Sequence, residues 1–432
     1  MTKIFFIFLI FLFNSCSFDN KSGIWTNDKN LKPETRQENT INLFNKTEVI
    51  KDEFNPDFRI NVPLDFRNIK NLGNNNNSFL SFNLKLKKIS RYKFSKIDNF
   101  DYFDPSLVFY NDDLIFFDNK GSILRFNNKS KIIWKKNNYS KNEKRSSPVL
   151  NFSVSKKILI VTDNLSNYYA LNLDNGEIIW DKKHNVSFIS NIKIDDDKFY
   201  LIDANNIAYC FSLIDGSMIW KFSTDFELVK SQKKLSITFD DEKIYFNNSI
   251  GNIYSLDKNN GNLIWVTYTK DTNNFLQSFF LKTSQLIIDN DNLYFSNNQN
   301  SLFSVDKNSG FVNWKQSVNS EIKPLIIKNL IFSISSEGLL FILEKDSGNI
   351  LRITNVFDKF KKTKRKKIRP TGMIIDIDSI FVTLNNGKII IVNASDGKID
   401  SNFNISRGKI SQPFINKNYI FTVKDNEIIR LN

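Results

Sequence analysis

The chain has 432 residues, 41% hydrophobic and 14% aromatic, with only 14 glycines and 8 prolines, which is too apolar for a disordered chain and ample for a core. One histidine, His184, and two cysteines, Cys16 and Cys210, leave a multi-histidine zinc site, a four-cysteine cluster and a histidine-based triad short of parts. The net charge of +14 fits an anionic lipid surface or an acidic partner better than nucleic acid if the chain is exported, and AT-biased coding, visible in the Lys, Asn, Ile and Phe enrichment, accounts for part of it.

Export is what the N-terminus indicates. Lys3 precedes ten apolar residues, 4–13, followed by Asn14-Ser15-Cys16. This is a secretory signal rather than a membrane span, which needs about 20 residues. Phe13-Asn14-Ser15-Cys16 resembles the lipobox of bacterial lipoproteins, although Phe13 and Asn14 replace the usual Leu and small residue. The resemblance implies that Cys16 is acylated and becomes the mature N-terminus. Ser17 resembles lipoproteins sorted to the outer membrane.

Residues 16–79 are polar, without a sustained apolar period, and read as a tether with a reach of roughly 40 Å. Within it, Phe54-Asn55-Pro56-Asp57-Phe58 and Val62-Pro63-Leu64 read as local cover for the folded domain. From residue 80 to 432 the chain changes to short runs of Phe, Ile, Tyr and Val separated by Asn, Asp and Gly, the pattern of an all-β fold.

An internal repeat decides the architecture. Four residues after Gly176, Gly216, Gly261 and Gly310 stand Trp180, Trp220, Trp265 and Trp314, and seven residues before them stand Tyr169, Tyr209, Tyr254 and Phe303. Gly348 and Gly397 keep the frame with Arg352 and Ser401 in place of Trp, while Trp134 marks another copy with Ser130 at the glycine position. Each copy reads as strands around a turn that needs positive φ, and an inner strand often opens at Pro105, Pro148, Pro324, Pro370 or Pro413, where a missing N–H is tolerated. Four short strands in about 44 residues make a propeller blade. Seven full copies and a three-strand eighth predict an eight-bladed β-propeller whose last blade is completed by a strand from residues 82–94.

The Tyr-x-Leu-x-x-x-x-Gly-x-Ile-x-Trp pattern resembles the tryptophan-docking repeats of pyrroloquinoline-quinone-type propellers. Quinone-dependent dehydrogenases of that kind carry an adjacent Cys-Cys pair and a Ca2+ site. Cys210 has no cysteine neighbour and takes the place of Ala170, Ser255 and Ser304, so it reads as a buried inert thiol. In whole design the chain is similar to the BamB family, lipoproteins of the bacterial β-barrel assembly machinery. That resemblance implies a non-catalytic scaffold without cofactor or metal, lipid-anchored at the periplasmic face of the outer membrane. Its partners would be the POTRA domains of a BamA-like barrel protein and other assembly-machinery lipoproteins. The alternative is a quinone-dependent dehydrogenase or another ligand-binding envelope propeller. The resemblance also places the partner surface on the connections after blades three and four. Leu228, Val229, Phe275, Phe279 and Phe280 are the apolar anchors there, beside Lys230. The family's Leu-x-Leu-Arg loop is matched only by Leu228-Val229-Lys230, and its Asp-x-Asp loop only by Asp271. The densest charge run, residues 359–369, reads first as a solvated loop, with a surface for an anionic lipid or an acidic partner as the alternative, and His184 as a surface residue.

Overall fold

Every copy of the repeat folds into one four-stranded antiparallel sheet. The computed structural model describes residues 49–60, 76, 86–225, 230–269 and 280–431, and among these it contains eight such sheets. Blade one comprises Val108–Tyr110, Asp113–Phe117, Ile123–Phe126 and Ile132–Lys136, from the inner edge outward. Blades two to seven repeat this order down to the outer strands Ile178–Lys183, Met218–Ser223, Leu263–Thr267, Val312–Gln316, Ile350–Asn355 and Ile399–Asn404. Blade eight takes Phe414–Asn416, Tyr419–Lys424 and Glu427–Leu431 from the end of the chain and its outer strand, Lys88–Lys93, from the beginning. The eight-bladed architecture and the closing strand are therefore as the repeat predicts. The prolines expected to open inner strands stand within three residues of them, and Pro370 is itself the first residue of Pro370–Ile375.

Local chemistry explains the blade. Second and third strands are buried along their length, as in Leu159, Ile160 and Val161 against Tyr169, Ala170 and Leu171. Outer strands alternate burial with exposure because only one face meets a neighbour. In blades one to seven the pairing of third and outer strand slips by one residue beside the repeat position: Cys210 faces Trp220, but Phe211 faces Met218. This bulge adds local twist next to the indole. The residue opposite it is small in four blades, Ala170, Cys210, Ser255 and Ser304.

Blades join through that indole. Each Trp Nε1–H donates to a carbonyl three residues before the turn glycine of the next blade: Trp134 to Leu173 at 2.9 Å, Trp180 to Leu213 at 3.0 Å, Trp220 to Lys258 at 3.1 Å, Trp265 to Lys307 at 3.0 Å and Trp314 to Lys345 at 3.0 Å. The ring lies over the glycine itself. A Cβ at Gly216, Gly261, Gly310 or Gly348 would fall 2.5 to 2.7 Å from indole carbons, and the positive φ of these turns already favours glycine. Ser130 adopts the same left-handed conformation, φ 62°, in the turn of blade one.

The two copies without Trp have different causes. Arg352 is buried and stands under Gly397 as the indoles stand under the other glycines. Its Nη1 donates to the carbonyls of Ser395 and Phe58, both at 2.8 Å. Ser401 is exposed, because blade eight draws its outer strand from Lys88–Lys93 and so has no third-to-outer turn for blade seven to meet. At the blade-eight to blade-one junction, Tyr92 is buried and packs edge-on against Phe126 at 5.7 Å.

Residues 53–60 lie on the propeller. Phe54 forms an antiparallel bridge with Ile353, the Ile60 N–H donates to Ser395 at 2.8 Å, and the Ile60 side chain enters the core of blades six and seven. The Phe54-Asn55-Pro56-Asp57-Phe58 motif thus covers the outer strand of blade six, while Val62-Pro63-Leu64 lies outside the described residues. No helix among the described residues is long and apolar enough to cross a membrane.

Trp220 is 7% exposed, so Trp220→Ala removes a buried ring and the cover of Gly261 together. Thermal and denaturant unfolding should show a loss of about 3 to 5 kcal/mol, whereas Ser401→Ala should leave the melt unchanged. An unchanged melt for Trp220→Ala would overturn the blade-joining role of the indole.

Candidate functional site

The connections from blade three to four and from blade four to five cross one rim on neighbouring blades. Of the six expected partner residues, Lys230 and Phe280 are described, and Leu228, Val229, Phe275 and Phe279 lie outside the described residues. Lys230 is exposed but tied to its own blade, its Nζ donating to the Ala204 carbonyl at 2.8 Å and to Asn205 Oδ1 at 3.0 Å. Phe280 is 66% exposed. Its carbonyl accepts from Asn298 Nδ2 at 2.8 Å while the next residue, Leu281, is buried against Gly251, so the backbone is pinned and the ring faces water.

Tyr268, 64% exposed at the start of the same connection, is an aromatic that the sequence pattern does not single out. Its only signal is its place one residue beyond the strand Leu263–Thr267, on the exposed side of the alternation that leaves Thr267 buried. Beneath this rim Asn206 Oδ1 accepts from both the N–H and the hydroxyl of Ser249, at 2.8 and 2.7 Å, and Ser249 Oγ accepts from the Ser231 N–H at 3.0 Å. Buried polar groups stitch blades three and four into one floor under the connection.

His184 is not a surface residue. Its ring stacks on Phe188 at 4.8 Å, meets Tyr209 edge-on at 4.9 Å and approaches Asp203 Oδ2 at 3.4 Å. The aromatic packing of blade three draws it in, and the Tyr209 hydroxyl also donates to Asp203, at 3.1 Å. Cys210 is fully buried, and burial pushes its thiol up to about 12, which keeps it protonated and unreactive.

The inner edges of the blades carry a second cluster. Lys234 reaches from blade four to Ser106 Oγ of blade one at 2.8 Å, and Lys233 reaches the Glu321 carbonyl at the entry to blade six. Lys323 donates to the Asn76 carbonyl at 2.8 Å, and Asn76 Nδ2 donates to Leu286 and Ile237 at 2.8 and 3.2 Å. Lysines therefore tie non-adjacent blades across the ring. A cleft of about 380 Å3 opens beside Lys193, between Ser153 and Phe239. Burial, with Lys323 adding repulsion, pushes Lys193 down to about 7, and burial holds Lys234 and Lys323 at about 8. Among the described residues no three His, Cys, Asp or Glu side chains cluster as a metal site needs.

A family model described as outer membrane protein assembly factor BamB matches residues 119–354, more than half of the chain. The chain belongs to the BamB family. BamB from Moraxella catarrhalis superposes with a TM-score of 0.67 at 16% identity, covering 81% of this chain and all of that one. The Saccharomyces cerevisiae protein Sqt1 gives 0.62 at 11% identity, covering 81% of this chain and all of its own. A computationally designed protein, Ika8, gives 0.59 at 8%, covering 79% of this chain and 99% of its own. At such identities the likeness is one of fold, and the family rests on the sequence model. No curated protein sequence matches the chain. The matched residues run from the third strand of blade one to the outer strand of blade six, and so include every tryptophan junction of the BamB-family repeat.

The lysine cluster has a measurable consequence. A lysine whose native pKa lies below its unfolded value binds fewer protons folded than unfolded between the two. For Lys193 stability must therefore rise with pH from about 7 towards the ordinary lysine value near 10.5, and the full penalty persists below 7. Lys193→Met should raise the melting temperature most at pH 6 to 7 and flatten its rise towards pH 10. Parallel pH profiles for variant and wild type would refute the buried charge.

Proposed function

We propose that this BamB-family propeller is a non-catalytic scaffold of outer-membrane β-barrel assembly, lipid-anchored through Cys16 at the periplasmic face of the outer membrane. It binds the POTRA domains of a BamA-like protein, alongside the other assembly lipoproteins, and assists the folding and insertion of barrel proteins. The observation that carries this reading is the family match across the tryptophan-joined blades, in a chain that opens with a signal and a cysteine. The signal-and-cysteine start is what the anchor reading expects. The exposed Phe280 and Tyr268 rings supply the aromatic groups in which interface energy concentrates, and Lys230 on the neighbouring connection adds a cation that favours an acidic counterpart.

Two measurements test the reading. Lys230→Glu with Leu228→Ala should melt close to wild type yet fail to capture the BamA-like protein from detergent-solubilised envelope, each lost anchor costing about 2 kcal/mol. Full capture with a normal melt would move the interface to another face. Separately, metabolic labelling with palmitate should mark the wild-type chain and disappear in Cys16→Ala while the propeller still folds. Labelling that persists in that variant would remove the anchor.

A further inference from the structure

The connection from blade six to blade seven holds eight Lys and Arg residues between positions 359 and 369. Sequence reads this run as a solvated loop. The structure makes it a braced platform. Phe357 is fully buried and lies so close to Gly338 that a Cβ there would fall 2.2 Å from its ring. Phe360 meets Phe357 edge-on at 6.0 Å, both rings packing into the core of blades six and seven, and Ile368 is buried at the far end. Between them Lys362–Arg365 forms a helical turn, with the Lys364 N–H donating to Lys361 at 2.8 Å and the Ile368 N–H to Lys364 at 3.2 Å. Arg365 turns inward, its Nε donating to the Phe360 carbonyl at 2.7 Å and its Nη2 to the Asp358 carboxylate at 2.9 Å. Asn385 clasps the exit through the Lys367 carbonyl and the Arg369 N–H, both at 3.0 Å.

What this bracing leaves outside is charge of one sign. Lys361, Lys362, Lys364, Lys366 and Lys367 are exposed, and none is ion-paired among the described residues. Asp358, the only carboxylate of the connection, is taken by Arg365. Fixing like charges side by side costs free energy that a loose loop would relieve by spreading. The chemistry of the patch selects its occupant. Protein interfaces concentrate energy in aromatic and arginine anchors and are poor in lysine, and here the aromatics face inward. An anionic bilayer needs no shape match and attracts every lysine held near its surface.

The path of the N-terminal chain places the patch. Residues 53–60 run antiparallel to the outer strand Ile350–Asn355, with Phe54 opposite Ile353 and the Asn355 N–H donating to the Glu53 carboxylate at 2.8 Å. Glu53 and the start of the basic connection thus meet at Asn355, at one end of the outer strand of blade six.

We propose that residues 361–367 form a docking surface for anionic phospholipid headgroups, which sets the propeller's orientation at the bilayer to which its anchor holds it. The proposal rests on the lipid-anchor reading only for its place at a membrane, and its test omits the lipid. The mature chain carrying Cys16→Ala, unacylated, is floated with phosphatidylcholine vesicles with and without phosphatidylglycerol. Binding should require the anionic lipid, weaken with salt, and fall at least about tenfold when Lys361, Lys362, Lys364, Lys366 and Lys367 are all changed to Gln. Changing the exposed Lys129, Lys131, Lys141, Lys156 and Lys183 to Gln should leave it within about twofold. Equal loss in both variants would reduce the effect to net charge and overturn the proposal. So would undiminished vesicle binding by the loop variant, and if that variant instead lost capture of an assembly partner, the surface would belong to an acidic protein.

Discussion

One contact, repeated around the ring, holds the blades in place: an aromatic ring on an outer strand lies flat on the glycine turn of the next blade and gives its N–H to a carbonyl of that turn. Among the described residues the sheets are linked through the backbone only by isolated bridges such as Ser190 with Leu235, so most lateral cohesion comes from these docked side chains and from the apolar faces behind them. Positive φ favours glycine in this turn without requiring it, as Ser130 in the first blade shows, and where an indole lies on the turn the ring requires it because nothing larger fits there. The bulge recurs in blades six and seven, which carry no indole, so it belongs to the blade itself, while a small residue opposite four of the five indoles leaves room for the ring to lie flat.

Where the ring is replaced, the replacement shows what it does. Arg352 keeps the place under the glycine and the hydrogen bond to the next blade, and its planar fork has donors left for a third partner. That partner is the Phe58 carbonyl, so the substitution joins blade six, blade seven and the N-terminal segment at one guanidinium. Across the ring the lysines of blade four perform a looser version of the same task. Lys234 reaches blade one at the cost of standing in a poorly solvated place, which is why its proton is held weakly.

The fold is legible in the sequence because a propeller writes its geometry as a period. Trp134, Trp180, Trp220, Trp265 and Trp314 mark blade edges, and a three-strand remainder after Pro413 demands a strand from the start of the chain. The finer roles are hidden for physical reasons. At the Trp position Arg352 looks like the loss of an anchor, since its third partner lies 294 residues earlier. His184 looks exposed because the rings that enclose it, Phe188 and Tyr209, lie on different segments. The basic run between blades six and seven looks like solvent-facing filler, because Phe357, Phe360 and Ile368 read as ordinary apolar residues until Gly338 is seen beneath them. Exposure is equally hidden at Tyr268 and Phe280, which carry the same apolar character as residues of the core.

Closure by Lys88–Lys93 has a kinetic side. The last blade pairs residues more than three hundred positions apart, as in Lys93 with Glu427, so its contacts carry the largest loop-closure entropy in the ring. As the chain emerges from its N-terminus, the first strand of the domain must wait, unpaired, until nearly the whole chain has followed. An orphan strand is a template for the wrong neighbour, and natural sequences guard such edges with lysine and arginine. The waiting strand reads Lys-Ile-Ser-Arg-Tyr-Lys, three cations in six residues. Among its described side chains Tyr92 carries it into the hydrophobic seam with Phe126, so a residue that helps complete the circle must also stay hidden until the chain is nearly finished.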